Sequence, residues 1–562
     1  MRKILLPKRI ALILAIFSGL SLSVPAADET NFPVTIRIDA AQTRGGLHPV
    51  WRFFGYDEPN YTYMKDGRKL LAELGQMGSE QVYVRTHHLL TSGDGSPALK
   101  WGSTGAYRED ANGRPVYDWT ILDRIFDTYL ERGLKPYVQI GFMPEALSTH
   151  PEDYPKNPPA KKRAPVSAGQ AYPPVSYEKW GELCYQWTRH CVEKYGKGEV
   201  EKWYWEVWNE PNIGYWKGKP EDYYRLYDFA VAGVRRALPA ARVGGPEVAG
   251  GGNKFLHDFL EHCVRGTNFV SGKVGSPLDF IAFHAKGSPK FVEGHVQMGV
   301  ANQLRDVDRG FSMVAAFPEL KARPIVIGES DPDGCAGCPA SEFPQNGYRN
   351  STLYASYTAA SFARKHDLAD LRGVNFEGAL TWAFEFEDQP LFAGFRVLAT
   401  GGLDLPVLNV FRMFGRMSGQ RVAVESSGAV TLETMRDRGV RSTPDVSALA
   451  SRDGKKVFVL LWHYHDDDVA GPAAAVELTM AGLPAGARPS RMEHYRIDDD
   501  HSNAFAAWKR LGSPAEPTAA QYAQLEKAGQ LTSMAAPEIV ATTGTLQLTL
   551  PRQSVSLLVL EY

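Results

Sequence analysis

The chain has no surplus of charge of either sign: 62 Lys and Arg stand against 64 Asp and Glu, a formal net charge of -2 over 562 residues. That excludes the basic footprint of a nucleic-acid binder or of a protein held on an anionic membrane. Cysteine is scarce, five residues in all. Cys335 and Cys338 form a lone C-x-x-C, and without a second pair they do not complete a tetrahedral zinc site. The histidines lack ligand spacing, so neither a metal nor another cofactor is expected. A Gly-rich dinucleotide fingerprint is missing after the first predicted strand. Long apolar runs are missing too, apart from residues 10–22, IALILAIFSGLSL, which follow Arg2, Lys3, Lys8 and Arg9 and precede SVPAAD. This run is shorter than the roughly 20 apolar residues of a membrane span, and it has the layout of a secretory signal. Residues 1–27 are expected to be a cleaved signal peptide and the mature chain to be exported, periplasmic or secreted, with no membrane partner. In that compartment Cys335 and Cys338 are expected to form a local disulfide, with a redox role as the alternative. Cys184, Cys191 and Cys263 are expected to be small buried hydrophobes. Nothing in the sequence sets an oligomeric state.

What is present is an alternation. β-rich runs at 51–56, 81–86, 136–142, 203–209, 242–247, 279–284, 324–329 and 379–384 are separated by amphipathic helical stretches. In DWTILDRIFDTYLERG, Leu122, Ile125, Phe126, Tyr129 and Leu130 share one face, with Asp118 as N-cap and Gly133 as stop. SYEKWGELCYQWTRHCVEKYG repeats the design from Ser176 to Gly196. The pattern predicts an α/β fold, a (β/α)8 TIM barrel, over residues 49–415; an open doubly wound sheet is the runner-up. Beyond it, runs at 455–464, 474–483, 544–550 and 554–562 alternate without long helices between them and predict an accessory β-sandwich over 416–562. The early segment 28–48, with VTIRIDA at 34–40, is expected to add a strand to that sandwich.

Barrel enzymes carry their chemistry at the C-terminal ends of the strands. Glu210 ends the fourth predicted strand in WYWEVWNEP, and Glu329 ends the seventh in PIVIGESD. Strands four and seven face one another across a small barrel, so the two carboxyls can meet over one pocket. Such a pair suits glycosidic cleavage, with one group donating a proton and the other stabilising or attacking the sugar carbon. Asn209, one residue before Glu210, is placed to bond a sugar 2-hydroxyl. Trp205, Trp208, Trp216 and Trp382 are candidates for ring stacking, with barrel core as the alternative.

The motifs go further. VWNEPN, VRTHHLL at 84–90, residues 262–287, PIVIGESDP and the late WKRLGSPAEPTAAQ together resemble glycoside hydrolase family 39, which holds β-xylosidases and α-L-iduronidases. The resemblance implies that Glu210 is the general acid/base and Glu329 the nucleophile of a retaining mechanism. It also implies that His87, Asn209 and His284 bind the sugar. A uronide differs from a xyloside chiefly by a carboxylate on C5, which calls for cations. By the same resemblance, Lys286, Asp388 and Arg396 are candidate contacts to such a substrate. The expected activity is exo-cleavage of a terminal β-D-xyloside-like sugar from an oligosaccharide or glycoside, ahead of a uronide or other substituted glycoside. A non-catalytic carbohydrate-binding protein is the reading from another class.

Overall fold

The computed structural model describes residues 31–155, 168–483, 488–539 and 545–562. The expected signal peptide lies outside the described residues. Among those residues no helix is long and apolar enough to cross a membrane.

Eight parallel strands form one sheet in sequence order: Phe53–Tyr56, Tyr83–Thr86, Lys135–Ile140, Tyr204–Val207, Arg242–Val248, Phe280–His284, Ile325–Glu329 and Phe376–Ala379. The first and last strands meet through Gly55 N–H to Thr381 O and Thr381 N–H to Phe53 O, both at 3.0 Å, which closes a TIM barrel. Nearly every strand residue is buried, as expected where helices cover the outer face and side chains fill the inner one. Helix Tyr177–Tyr195 starts where Ser176 accepts from Lys179 N–H. Asp118 accepts from Thr120 N–H at 3.0 Å, but it lies one residue ahead of the N-cap position, which Trp119 occupies.

The eighth predicted strand, 379–384, needs correction. The regular strand is Phe376–Ala379 and starts earlier than predicted; its pairing runs on through Leu380 and Thr381, after which Trp382 lies against His87 at 4.1 Å between ring centroids.

Inside the barrel the filling changes with height. Its floor is aromatic: Tyr204 packs 5.0 Å from both Tyr83 and Tyr137 and 5.1 Å from Phe280. Residues two apart on a strand face the same way, so Arg85 follows Tyr83 and Glu206 follows Tyr204 one layer up. There Arg85 Nε donates to Glu206 Oε2 at 2.6 Å. The functional side chains sit above this ionic layer.

A second sheet of ten strands takes up most of the C-terminal part, and Phe32–Gly46 is inserted into it between Gln420–Ser426 and Ala474–Ala481. Its own core includes Val34, Ile36, Ile38, Val459, Leu461, Val476 and Leu558. Strands Gln420–Ser426, Asp445–Asp453 and Arg491–Ile497 escaped the sequence pattern. So did helices Ala504–Arg510 and Ala519–Gly529, which reach back to the barrel loops: Trp508 packs on Phe392 at 5.0 Å, and Tyr522 OH donates to Gly401 O at 2.7 Å.

Candidate active site

Glu210 is aimed by a strained turn. Trp208 and Glu210 both have left-handed backbones, φ 74° and 44°, which cost a non-glycine residue free energy unless the surroundings hold them. They are held: Trp208 N–H donates to Ile140 O, its indole N–H donates to Tyr215 O, and Glu210 N–H donates to Glu247 O at 2.8 Å. Two steps in the left-handed region turn the chain outward at the strand end and point the Glu210 carboxyl over the mouth.

Glu329 closes the seventh strand and is buried. Its Oε2 accepts from Lys286 Nζ at 2.5 Å. Its Oε1 lies 3.7 Å from Arg85 Nη1, 3.8 Å from His284 Nδ1 and 4.0 Å from His87 Nε2. Burial alone would raise its proton affinity, but the cations Lys286, His284 and Arg85 overcome that and hold it far below the usual carboxylate range. The ionised form is thereby favoured.

One imidazole joins the two glutamates. His284 Nδ1 is 2.9 Å from Glu210 Oε1 and 3.8 Å from Glu329 Oε1, so those two oxygens are at most the sum of these distances apart, about 6.7 Å. The other ring nitrogen, Nε2, is 3.0 Å from Glu247 Oε2. Burial would disfavour the imidazolium. Glu329, the hydrogen bond to Glu210 and the Glu247 carboxylate close by outweigh it, and His284 is pushed up to about 9. His87 has the opposite state. Its Nε2 faces Arg85 Nη1 at 3.1 Å, and arginine only donates, so Nε2 accepts and Nδ1–H donates to Asp57 Oδ1 at 2.9 Å. Burial, with Arg85 beside it, keeps this ring neutral.

Asn209 is buried. Its Oδ1 accepts from Arg85 Nη2 at 3.0 Å, while its Nδ2 has no hydrogen-bond partner among the described residues. The structure thus gathers Glu210, Glu329, His284, His87, Asn209 and Lys286 into one cluster at the strand ends, linked through Arg85 and His284. Asp388 and Arg396 are not gathered. Asp388 is exposed, near the Glu387 carboxyl and the Tyr61 hydroxyl. Arg396 is 1% exposed, and its guanidinium is spent on Trp382 O, Asp333 O, Asp333 Oδ1 and Asp331 Oδ2. It is a strut under the nucleophile loop, whose tip is closed by the Cys335–Cys338 disulfide. Arg396→Ala is expected to destabilise the fold by about 3–5 kcal/mol, because it strands buried carboxylates. Thermal melting reads this directly, and an unshifted midpoint would contradict the strut.

Trp205 and Trp208 are wholly buried in the barrel wall, so they are core rather than stacking platforms. Residues that sequence reasoning missed are Arg85, Glu206, Glu247, Asp57, Lys100 and Asp331. Lys100 pairs with Asp57, and Asp331 accepts from Lys286 at 2.6 Å and from Trp382 N–H at 2.9 Å. Two signals were available: Arg85 lies two residues before His87 on the same strand face, and Glu247 is a third glutamate at the end of a barrel strand.

Residues 34–547 match the sequence pattern of Glycosyl hydrolases family 39. The chain belongs to that family. It is 27% identical to a β-xylosidase of Geobacillus stearothermophilus over 454 residues, 78% of this chain and 77% of that one. It is also 27% identical to the α-L-iduronidase of Homo sapiens over 586 residues, 96% of this chain and 80% of that one. A monomeric β-xylosidase from Caulobacter crescentus CB15 shares the fold with a TM-score of 0.69 at 21% identity, covering 94% of this chain and 99% of that structure. This family 39 chain is accordingly a glycosidase.

Proposed function

We propose that this enzyme is a retaining, exo-acting glycosidase that removes a terminal β-D-xyloside-like sugar through a covalent glycosyl-enzyme intermediate. The observation that carries the reading is the shared nitrogen of His284, which keeps the Glu210 and Glu329 oxygens within about 6.7 Å of each other. Retention needs about 5–5.5 Å between carboxyls, and inversion about 6.5–9.5 Å to admit a water. The upper bound barely reaches the second range. Glu329, anionic and backed by Lys286, attacks the anomeric carbon. Glu210 donates to the leaving oxygen and then, deprotonated, draws a proton from the incoming water. The free Asn209 amide donates to the 2-hydroxyl as charge builds on the ring.

A sugar without a carboxylate fits the charge balance. Lys286 already spans Glu329 and Asp331, and Arg396 is buried. A uronide is the second reading. Lys286 favours it, since its ammonium touches Glu329 and its side chain stays partly exposed. A panel of chromogenic xyloside, arabinoside, glucoside, galactoside and iduronide separates the two, with NMR of the first-formed anomer testing retention. Lys286→Ala should lower kcat/KM on the xyloside by roughly tenfold to a hundredfold, because Glu329 loses its nearest cation. A loss many times greater on the iduronide would move the assignment to a uronidase. Export rests on the pattern of residues 1–27, and a mature N-terminus near Asp28 in the periplasmic or secreted fraction is its test.

A further inference from the structure

Glu247 stands one residue before the end of the fifth barrel strand and is wholly buried. It nevertheless touches Glu210 twice, once through the backbone and once through His284. Its carbonyl accepts the Glu210 N–H at 2.8 Å, and its carboxylate lies 3.0 Å from His284 Nε2 while His284 Nδ1 holds Glu210 Oε1 at 2.9 Å. Its own backbone is left-handed, φ 54°, so both ends of this link are strained residues. The seventh strand, two along in the sheet, has made room for it. A Cβ at Gly328, next to Glu329, would lie 1.9 and 2.0 Å from the Glu247 oxygens, so any side chain there would take the place of the carboxylate.

We propose that Glu247 is the positioning residue of the acid/base: it clamps His284 against Glu210 and fixes the Glu210 backbone, keeping that carboxyl in one place through both displacement steps. This rests on the assignment of Glu210 as acid/base. With Nδ1–H of His284 bound to Oε1, the other oxygen of Glu210 is left to exchange a proton with the leaving group and the water. The charges around the clamp are all in view. His284 faces Glu210, Glu247 and Glu329. Glu247 also faces Arg85 Nε at 3.9 Å, Tyr137 OH at 3.3 Å and the Glu206 carboxyl. Glu329 also faces Lys286, His87 and Arg85. Burial would raise Glu247, but Arg85, Glu206 and His284 outweigh it and bring it down to about 2, while Glu206 is pushed up by burial and by Glu247. Glu247 is thus the anion of that pair. Removing its charge lowers the proton affinity of His284.

The test uses the full-length enzyme and the aryl glycoside it hydrolyses best. Glu247→Gln should lower kcat by about 10- to 100-fold, the penalty of a misplaced catalytic group, with KM within about twofold. The alkaline limb of kcat/KM should move to lower pH by about one unit. Glu247→Asp restores the charge and should bring the limb back while kcat recovers only in part. Melting curves confirm that each variant is folded. Should the glutamine variant not fold, the aspartate variant alone decides: kcat about tenfold down at constant KM supports the clamp, and a parental kcat overturns it. A glutamine variant with parental kcat and limb overturns it too, as does a rate loss with the limb unmoved in both variants. None of these results touches the glycosidase reading, which stands or falls on Glu329 and Glu210 themselves.

Discussion

Glu329→Gln is expected to lower kcat by roughly 10^4- to 10^6-fold, the scale on which deleting a catalytic nucleophile acts. The amide keeps the shape of the side chain but cannot form the glycosyl ester, and no nearby carboxylate is placed to replace it. Asp331 is the nearest candidate, but Lys286, Arg396 and the Trp382 N–H already hold it in the wall. The substitution also leaves Lys286, His284 and Arg85 without the anion that balances them. Part of the loss is therefore electrostatic, and a melting curve should accompany the kinetics. A second measurement isolates the covalent step: an activated 2-deoxy-2-fluoro glycoside should add one sugar mass to the Glu329 peptide of the parent enzyme and nothing to the variant. A Glu329→Gln protein turning over at the parental rate would end the proposed mechanism.

Glu210→Ala has an effect that depends on the substrate. For an alkyl or sugar leaving group, which must be protonated as it departs, the loss should reach roughly 10^2- to 10^4-fold, the usual contribution of general acid catalysis. For a dinitrophenyl leaving group the first step needs no acid, so the sugar loads quickly and the intermediate waits for a water with no base to activate it. The expected record is a pre-steady-state burst, a low steady-state rate and a fall in KM as the intermediate accumulates. Azide, small enough to fill the space vacated by the carboxyl and needing no deprotonation, should speed the second step. An equal loss across good and poor leaving groups, with no burst, would remove Glu210 from the acid/base role.

Much of the frame was legible in the sequence because it follows from short-range regularities. Buried parallel strands read as continuous apolar runs, and helices between them repeat every third or fourth residue, so seven of the eight barrel strands fall close to where the pattern puts them. The eighth was read a few residues late because LTWAF is as apolar as a strand, and periodicity does not separate Leu380 and Thr381, which pair in the sheet, from the residues that follow them. The late helices Ala504–Arg510 and Ala519–Gly529 were missed in a stretch dominated by strand signals. Arg396 was assigned to the substrate because an arginine near an active site looks the same on paper whether it faces the pocket or the wall. Burial alone separates these cases, and at 1% exposure it is in the wall.

By itself the sequence determined that two glutamates end facing strands of a closed barrel, since strand order and strand direction put them on one rim. It also carried Asn209 and His87 along, as neighbours in the same short motifs. Only the tertiary structure decided how those groups are charged. Glu329 is an anion because Lys286, His284 and Arg85, from two other strands and their ends, converge on it. His284 is a cation because both of its nitrogens meet carboxylates, and His87 is neutral because one of its nitrogens meets an arginine. Protonation follows from which partners lie within a few ångströms in a medium that screens poorly. These partners come from residues up to a hundred or more positions apart, a distance that no local pattern records.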